Sequence, residues 1–373
     1  MIVSVLINNF NNGVYLRECI ESVLNQTYND IEVILYDDGS TDNSLEIASQ
    51  YKEVKIISSC NYGSTANFNQ ANAIYQAYKI ASGNIICLLD GDDAFVRDKV
   101  ELVVKEFEEN PEVIAVQHLL SEIDNKGNSR NIIRPVLKKI DNYREHLIEK
   151  KDFFHLFSST SALSFRRDFL GKVLPIKEDH LSHIWSDSRL MYYAALEGEI
   201  VLLSNPLSLY RIHGNNDSTR RDSIEGHQEY TKELYQFINQ LFLKYELPPI
   251  NYQYEHFLRN TYFYSILDRI AILEFMDNNE GSNFYIWGAG EAGQSINLFL
   301  QEYSYEICAF IDSNQQKQGQ KVMGKEIISP KQLYLAEDVK VIISPYYHYD
   351  LLTNQLQENG MQDNDFLYPY MKD

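Results

Sequence analysis

Short, mostly apolar runs punctuate the first ninety positions. They span 2–7, 31–36 and 85–89, and each ends in a polar cluster. Runs this short, bounded by turn residues, predict buried strands of a parallel sheet. Between them Leu16, Cys19, Ile20, Val23 and Leu24 recur at helical spacing. Positions 54–58 read as a third strand and 68–81 as a helix. The alternation predicts a parallel sheet with helices on both faces.

The run 85–89 leads directly into Asp90, Gly91, Asp92 and Asp93. These carboxylates stand at the C-terminal end of a central strand, where open α/β sheets hold their ligands. Like charges this close repel and are best tolerated around a cation. Oxygen donors suit Mg²⁺ or Mn²⁺, which leave positions for phosphate oxygens. The alternative is a solvated turn that caps the next helix. The buried strand in front favours the ligand reading. The other strand ends carry Asn8-Asn9-Phe10-Asn11-Asn12-Gly13 and Asp37-Asp38-Gly39-Ser40-Thr41-Asp42. Ser40 or Thr41 can cap a helix starting near Asn43. No glycine-rich phosphate loop follows the first strand, so a nucleotide there would be held by side chains and metal.

Farther on, 112–118 reads as a strand and 121–128 as a hairpin turn with Lys126-Gly127-Asn128 at its tip. The stretch 126–151 is basic through Arg130, Arg134, Lys138, Lys139, Arg144, Lys150 and Lys151. It reads either as a solvated face or as a mobile segment that meets a polyanionic acceptor or a membrane surface. Positions 158–167 read as a strand and turn. Asp187 falls in the first turn of a helix at 185–196, where an acid also complements the helix dipole. After a strand at 201–203, Arg211 offers a fork suited to phosphate or to structural packing. His213 can ligate a metal through a neutral ring nitrogen.

Positions 223–279 read as helical, broken at Leu247-Pro248-Pro249, with aromatic residues as inter-helix core. These helices brace two domains or form a self-association surface. A second helix carries Phe257, Leu258, Tyr262, Ile266 and Ile270. At 284–293 a strand runs into Gly288, Gly290 and Gly293 at Gly-x-Gly-x-x-Gly spacing. A second strand, 307–311, ends at Asp312, near the offset of a ribose-binding acid. Nucleotide or nucleotide-sugar binding there competes with a purely structural role. Tyr368 and Lys372 flank Pro369, which disfavours a catalytic helical pair.

A chain of 373 residues exceeds one core. The expected division is 1–220, a helical region 221–282, and 283–373. A net charge of −20 argues against nucleic acid as partner and against general attraction to anionic lipid. Four cysteines lack metal or disulfide spacing, and Cys87 in the apolar strand and Cys19 in a helical pattern point to buried thiols in a reducing cytoplasm. No run of eighteen apolar residues exists, and the amino end reads as a strand rather than a signal peptide.

Three ordered motifs carry a family resemblance: Val3-Ser4-Val5-Leu6-Ile7-Asn8-Asn9-Phe10-Asn11, Tyr36-Asp37-Asp38-Gly39-Ser40-Thr41-Asp42 and Leu89-Asp90-Gly91-Asp92-Asp93. Tyr210-Arg211-Ile212-His213-Gly214-Asn215-Asn216 adds a fourth. Together they resemble the inverting family 2 glycosyltransferases of GT-A fold. The resemblance implies an α/β catalytic domain with a Rossmann-like mixed sheet flanked by helices. It implies metal-dependent transfer, with Mn²⁺ or Mg²⁺, from a nucleotide-sugar, favouring UDP. The acceptor hydroxyl would belong to a glycan, a lipid-linked intermediate or a protein, in surface glycan, capsule, lipopolysaccharide or glycoprotein synthesis. Asp92, Asp90 and His213 would hold the metal, and Asp90 and Arg211 would also touch the donor. Asp38 would accept from a pyrimidine N–H, with Asn9 and Phe10 lining the base pocket. Asp187 would be the general base. Asp93 would cap the helix carrying Val100, Val103 and Phe107. Asn8 replaces the family's Pro, and Ser186 its usual Glu. The end of the chain resembles small Rossmann-like domains attached to sugar-modifying enzymes. The competing readings are a nucleotidyltransferase, which lacks its basic phosphate loop here, and a nucleotide-sugar sensor or scaffold.

Overall fold

The computed structural model describes residues 1–61, 63–137, 140–181, 184–214, 224–251, 258–259 and 261–371. The chain forms two compact units. Met1–Gly214 joins Glu233–Ile250 in the first, and Asn215–Lys232 joins Asn251–Asp373 in the second. The expected helical region 221–282 is thus divided between them, with Glu233–Ile250 in the first unit and the remainder in the second.

In the first unit the described strands are β1 (Val3–Asn9), β2 (Ile31–Asp37), β3 (Val54–Ser58), β4 (Ile85–Asp90), β5 (Ala94–Phe95), β6 (Val113–Ile123), β7 (Ser129–Arg134), β8 (Leu163–Arg166) and β9 (Glu199–Arg211). The sheet order is β3-β2-β1-β4-β8-β6-β9-β5, with β7 on β6. The first four strands are parallel, as expected. The order reverses direction between β1 and β4, and a crevice opens at such a switch point. Register sets Asn9 opposite Asp37 and Asn8 opposite Asp90, so three polar strand ends share one level.

The sheet is not parallel throughout. β8 runs antiparallel to β4 and to β6. The chain enters β8 from a single 3-10 turn, Thr160–Ala162, and the Asp90 amide donates to Ser161 Oγ at 3.1 Å. The start of β8 therefore lies at the carboxylate end of β4. β9 is far longer than the expected 201–203. It pairs with β6 through register shifts that set Pro206 opposite Leu119. A proline that cannot complete a ladder is tolerated at such irregularities. β9 thereby delivers Arg211 beside Ile123 and pairs Leu209 with Ala94.

Helices α1 (Gly13–Leu24), α2 (Ser44–Ala48), α3 (Ala66–Ile80), α4 (Lys99–Glu109), α5 (Arg167–Val173) and α6 (Ser186–Glu197) accompany this sheet. Leu16, Cys19, Ile20 and Val23 of α1 join Val100, Val103, Val104 and Phe107 of α4 in one core with β1, β2 and β4. Ser40 and Thr41 do not cap α2. Its N-cap is Asn43, while Ser40 Oγ accepts from the Asn11 amide at 2.8 Å. The helix Ile224–Lys244 buries Leu234, Phe237, Ile238, Leu241 and Phe242, and Phe237 and Phe242 meet Tyr192 and Phe153 edge-on. Aromatic core is the expected use of that stripe. The basic stretch is partly spent internally. Arg130 and Arg134 both pair with Glu122, at 3.0 and 3.2 Å, and Arg144 donates to the Leu196 carbonyl. Lys138 and Lys139 lie outside the described residues.

In the second unit the strands are β10 (Asn283–Trp287), β11 (Ala309–Ile311), β12 (Lys321–Val322), β13 (Lys325–Ile328), β14 (Val339–Ile343) and β15 (Phe366–Leu367). Their order is β12-β13-β11-β10-β14-β15, parallel except for the β12–β13 hairpin. That is a doubly wound arrangement with β10 in its middle. The expected second linker helix is two pieces, Tyr262–Ser265 and Arg269–Asn278. Asp268 caps the latter through the Ala271 amide at 3.0 Å, which restarts the helix. Phe257 and Lys372, singled out in the sequence, lie outside the described residues.

Candidate active site

The polar ends of β1, β2 and β4 make the first wall. Asn9 is buried and donates to Asp37 Oδ2 at 2.8 Å and to Ser40 Oγ at 3.2 Å. Asp37 also accepts from the Ser40 amide at 2.9 Å, so it closes the turn. Asp42 accepts from the amides of Gly13 and Ser44, at 2.8 and 3.0 Å, and joins α1 to α2. Asp38 lies between these turns. Burial, then the neighbouring Asp37 charge, pushes its carboxyl up to about 6. Asp38 Oδ1, Asn8 Oδ1 and Asn9 Oδ1 are buried without a hydrogen-bond partner among the described residues. Buried oxygens left so are costly unless something else donates to them. Phe10 is half exposed beside them. Gly91 fits here because a Cβ would press on Asn9 Oδ1, at 2.6 Å.

The carboxylates divide the work differently from the expectation. Asp93 does not cap α4, whose N-cap is Asp98. It is buried, accepting from the Arg211 amide at 2.9 Å and from Ser161 Oγ at 2.6 Å. Burial and the charges of Asp92 and Asp90 hold its carboxyl well above the usual range. Lys99 lies close behind, fully buried, with Nζ on the Ser161 carbonyl at 3.0 Å. Burial lowers it to about 7. Asp90 accepts from Asn8 Nδ2 and from Gln70 Nε2, the latter at 3.1 Å. Burial first, and then Asp92, raise it to about 7. Asp92 Oδ2 stands 2.9 Å from His213 Nε2, and the His213 ring stacks on Tyr15.

Arg211 belongs to the frame of this site. Its Nε donates to the Asp92 carbonyl at 2.8 Å, Nη1 to the Asp124 carbonyl at 3.2 Å, and Nη2 to Glu18 at 2.6 Å. The guanidinium is buried over the Tyr15 ring. All three faces of its fork are turned to the protein, which favours the packing alternative over phosphate contact. Asn215 and Asn216, which complete this motif, lie outside the described residues.

Asp187 occupies the first turn of α6, as the spacing predicted. Its Oδ2 accepts from the Thr160 amide and hydroxyl, both at 3.1 Å, and Oδ1 accepts from the Ser188 amide at 2.6 Å. Gln70 and Thr160 were not foreseen. Gln70 Nε2 donates to Thr160 Oγ1 at 3.1 Å as well as to Asp90, and its Oε1 accepts from Ser186 Oγ. A lone glutamine in a helix and a serine-rich run carry no chemical signature, so only folding brings them together.

Metal donors are sparse here. Among the described residues, no three of His, Cys, Asp and Glu form a ready cage. In the second unit Gly288 has φ +103, and a Cβ on Gly293 would run into the Gly288 carbonyl. The glycines thus serve a tight turn and close helix approach, while open space surrounds Gly290. Asp312 Oδ2 accepts from the Ala289 amide at 3.2 Å and from Lys317 Nζ at 3.3 Å. It ties the glycine turn to the next strand.

The family model described as glycosyl transferase family 2 matches residues 4–174, and one described as C2185-like, N-terminal, matches 280–367. An uncharacterized glycosyltransferase of Nostoc sp. is 35% identical over 236 residues, covering 61% of this chain and 70% of that protein. Glycosyltransferase GlyG of Streptococcus pneumoniae is 32% identical, over 34% of this chain and 42% of its own. Chondroitin synthase of Escherichia coli is 36% identical, over 34% of this chain and 18% of its own. Among solved structures, S. aureus TarS 1-349 in complex with UDP-GlcNAc aligns with TM-score 0.48 and 16% identity, over 87% of this chain and 95% of that one. The Pyrobaculum calidifontis mannosyltransferase PcManGT, in complex with GDP-Man and Mn²⁺, aligns with TM-score 0.46 and 17% identity, over 66% and 65%. The nucleotidyltransferase and sensor readings give way to the family match over the catalytic unit and the Nostoc relative. This chain belongs to glycosyl transferase family 2 and is a glycosyltransferase.

Proposed function

We propose that the chain transfers a sugar, with inversion, from a UDP-sugar to an acceptor hydroxyl in a metal-dependent reaction. The observation that carries this reading is the convergence of Asp90, the Asp92–His213 pair and Asp187 at one end of one sheet. Asp38 Oδ1, buried and without a described partner, suits the N–H of a pyrimidine, because an ionised carboxylate only accepts. Asn9, whose carbonyl accepts from the Asp38 amide at 2.9 Å, and Phe10 would line the base pocket.

The Asp92 carboxylate and the His213 imidazole, 2.9 Å apart, are the groups that would hold a divalent cation. Asp90, within reach of the Asp92 charge, would add to the donor set or hold the ribose. The bound cation would neutralise charge gathering on the departing diphosphate. Asp187, held by Thr160, would take the proton of the acceptor hydroxyl as that oxygen attacks the anomeric carbon from the face opposite the diphosphate. One displacement inverts the configuration. Arg211 and Asp93 keep the β9 end and the Asp92 loop together, so that His213 meets Asp92.

A glycan acceptor is favoured by the names of the polysaccharide synthases among the relatives, here similar over about a third of the chain. Cytoplasmic residence is supported by buried thiols at Cys19 and Cys87, although Cys60 and Cys308 are free and exposed rather than buried. No helix among the described residues is long and apolar enough to cross a membrane. For the second unit, nucleotide binding at Gly288, Gly290, Gly293 and Asp312 is the companion proposal, supported by the glycine turn after β10.

The test is nucleotide release from UDP-glucose, UDP-galactose, UDP-N-acetylglucosamine and UDP-glucuronic acid, with Mn²⁺ and with EDTA. Release from at least one, abolished by EDTA, is expected. No release from any, or release indifferent to EDTA, rejects the reading.

A further inference from the structure

Gln70 connects two acids that the reaction would use in different roles. It lies on α3, near Asp90 at the end of β4, the turn at Thr160 and the start of α6. Its neighbours fix the orientation of its amide. Asp90 Oδ1 already accepts from Asn8 Nδ2, so this oxygen serves as an acceptor and Nε2 faces it. Ser186 Oγ donates to the other end, Oε1. Nε2 has a second proton, and this reaches Thr160 Oγ1 at 3.1 Å.

A threonine hydroxyl has one proton and two lone pairs. With one lone pair taken by Gln70, the proton is directed to Asp187 Oδ2, 3.1 Å away. The Thr160 amide donates to the same oxygen. Thr160 and Ser186 are buried, so water does not readily replace these bonds. Gln70 thus determines which way the Thr160 hydroxyl points.

We propose that Gln70 is a positioning residue for transfer, acting on Asp187 through the Thr160 hydroxyl. The inference rests on Asp187 as the base. Without the Gln70 amide the hydroxyl can rotate and donate elsewhere, and Asp187 loses a directed bond. Donor affinity changes little, because Asn8 still holds Asp90.

The test compares Gln70→Met, Thr160→Val and the double variant, read as UDP release with Mn²⁺ and water as acceptor. The donors are the four UDP-sugars named above, and Asp187→Asn serves as control. Both substitutions roughly keep side-chain size; Gln70→Met removes the amide and its hydrogen bonds, and Thr160→Val removes the hydroxyl. Each single variant is expected to lower kcat by roughly tenfold, with donor KM within about threefold. Adding Gln70→Met to Thr160→Val should lower kcat by less than about twofold, since the two act through one contact. Multiplying losses, an unchanged kcat in Gln70→Met, or a loss carried wholly by KM overturns the proposal. A space-filling role would lower thermal stability and leave kcat of the folded protein in place, which also overturns it. If Asp187→Asn retains full release, the base assignment fails, and this inference with it. If Asp187→Asn is inactive while Gln70→Met is not, only the role of Gln70 fails.

Discussion

Asp92 Oδ2 and His213 Nε2 are 2.9 Å apart, although 121 positions separate them in the chain. Two backbone-directed contacts of Arg211 and Asp93 enforce this meeting. Arg211 Nε grips the Asp92 carbonyl, and Asp93 grips the Arg211 amide. If the pair binds a cation, His213→Ala should weaken Mn²⁺ binding roughly tenfold or more. Titration followed by electron paramagnetic resonance of free Mn²⁺ reads this directly. Equal Mn²⁺ affinity in wild type and variant would remove His213 from the donor set.

Asp187→Asn keeps the hydrogen-bond acceptor facing Thr160 but cannot take a proton near neutral pH. Transfer should fall roughly 10²–10⁴-fold, while UDP affinity in calorimetry stays within about twofold. A parallel fall in UDP affinity would mean that Asp187 acts on the donor instead.

Asp38 sets a pH dependence for nucleotide binding. Its carboxyl titrates at about 6, raised by burial and by Asp37. Above that value it is ionised and accepts strongly. Below it the proton weakens its hold on a pyrimidine N–H. UDP affinity should therefore decline as pH falls through about 6, and Asp38→Asn should flatten the curve. A wild-type curve that is flat between pH 5 and 8 would exclude this contact.

Asp90 makes the opposite kind of statement, about stability. Its folded pKa of about 7 lies above the unfolded value of about 3.9. The native state therefore holds a proton that the unfolded chain releases between these values. Stability from this group is full below about pH 4 and is lost as pH rises through about 7. In metal-free protein at pH 8, Asp90→Asn should raise stability by about 1–3 kcal/mol, a figure kept low for its partial exposure. The gain should vanish towards pH 4. Thermal melts at both pH values check the sign, and a destabilised variant at pH 8 would contradict it.

Arg211→Met removes three donors from a buried position. The carbonyls of Asp92 and Asp124 would lose their bonds, at a cost of about 2–4 kcal/mol. Arg211→Lys should rescue little, because one ammonium cannot span the three sites of the fork. Denaturant unfolding of the two variants measures this. A fully stable Arg211→Lys would show that the geometry of the fork is dispensable.

The amino-acid sequence by itself determined the strand–helix rhythm, the buried β4 and the polar ends that face the crevice. Apolar periodicity and turn residues are local, so they can be read along the chain. The resemblance to family motifs also pointed to Asp38, Asp92, Asp187 and His213 as candidate site residues. Only the tertiary structure decided that β8 reverses the sheet, since nothing local distinguishes a parallel from an antiparallel neighbour. It alone turned the Arg211 fork inward and put Asp93 on a backbone amide rather than a helix cap. It alone brought Gln70 and Thr160 between Asp90 and Asp187. Those outcomes depend on which distant groups share one buried space and satisfy each other's hydrogen bonds, and such pairing exists only once the chain has packed.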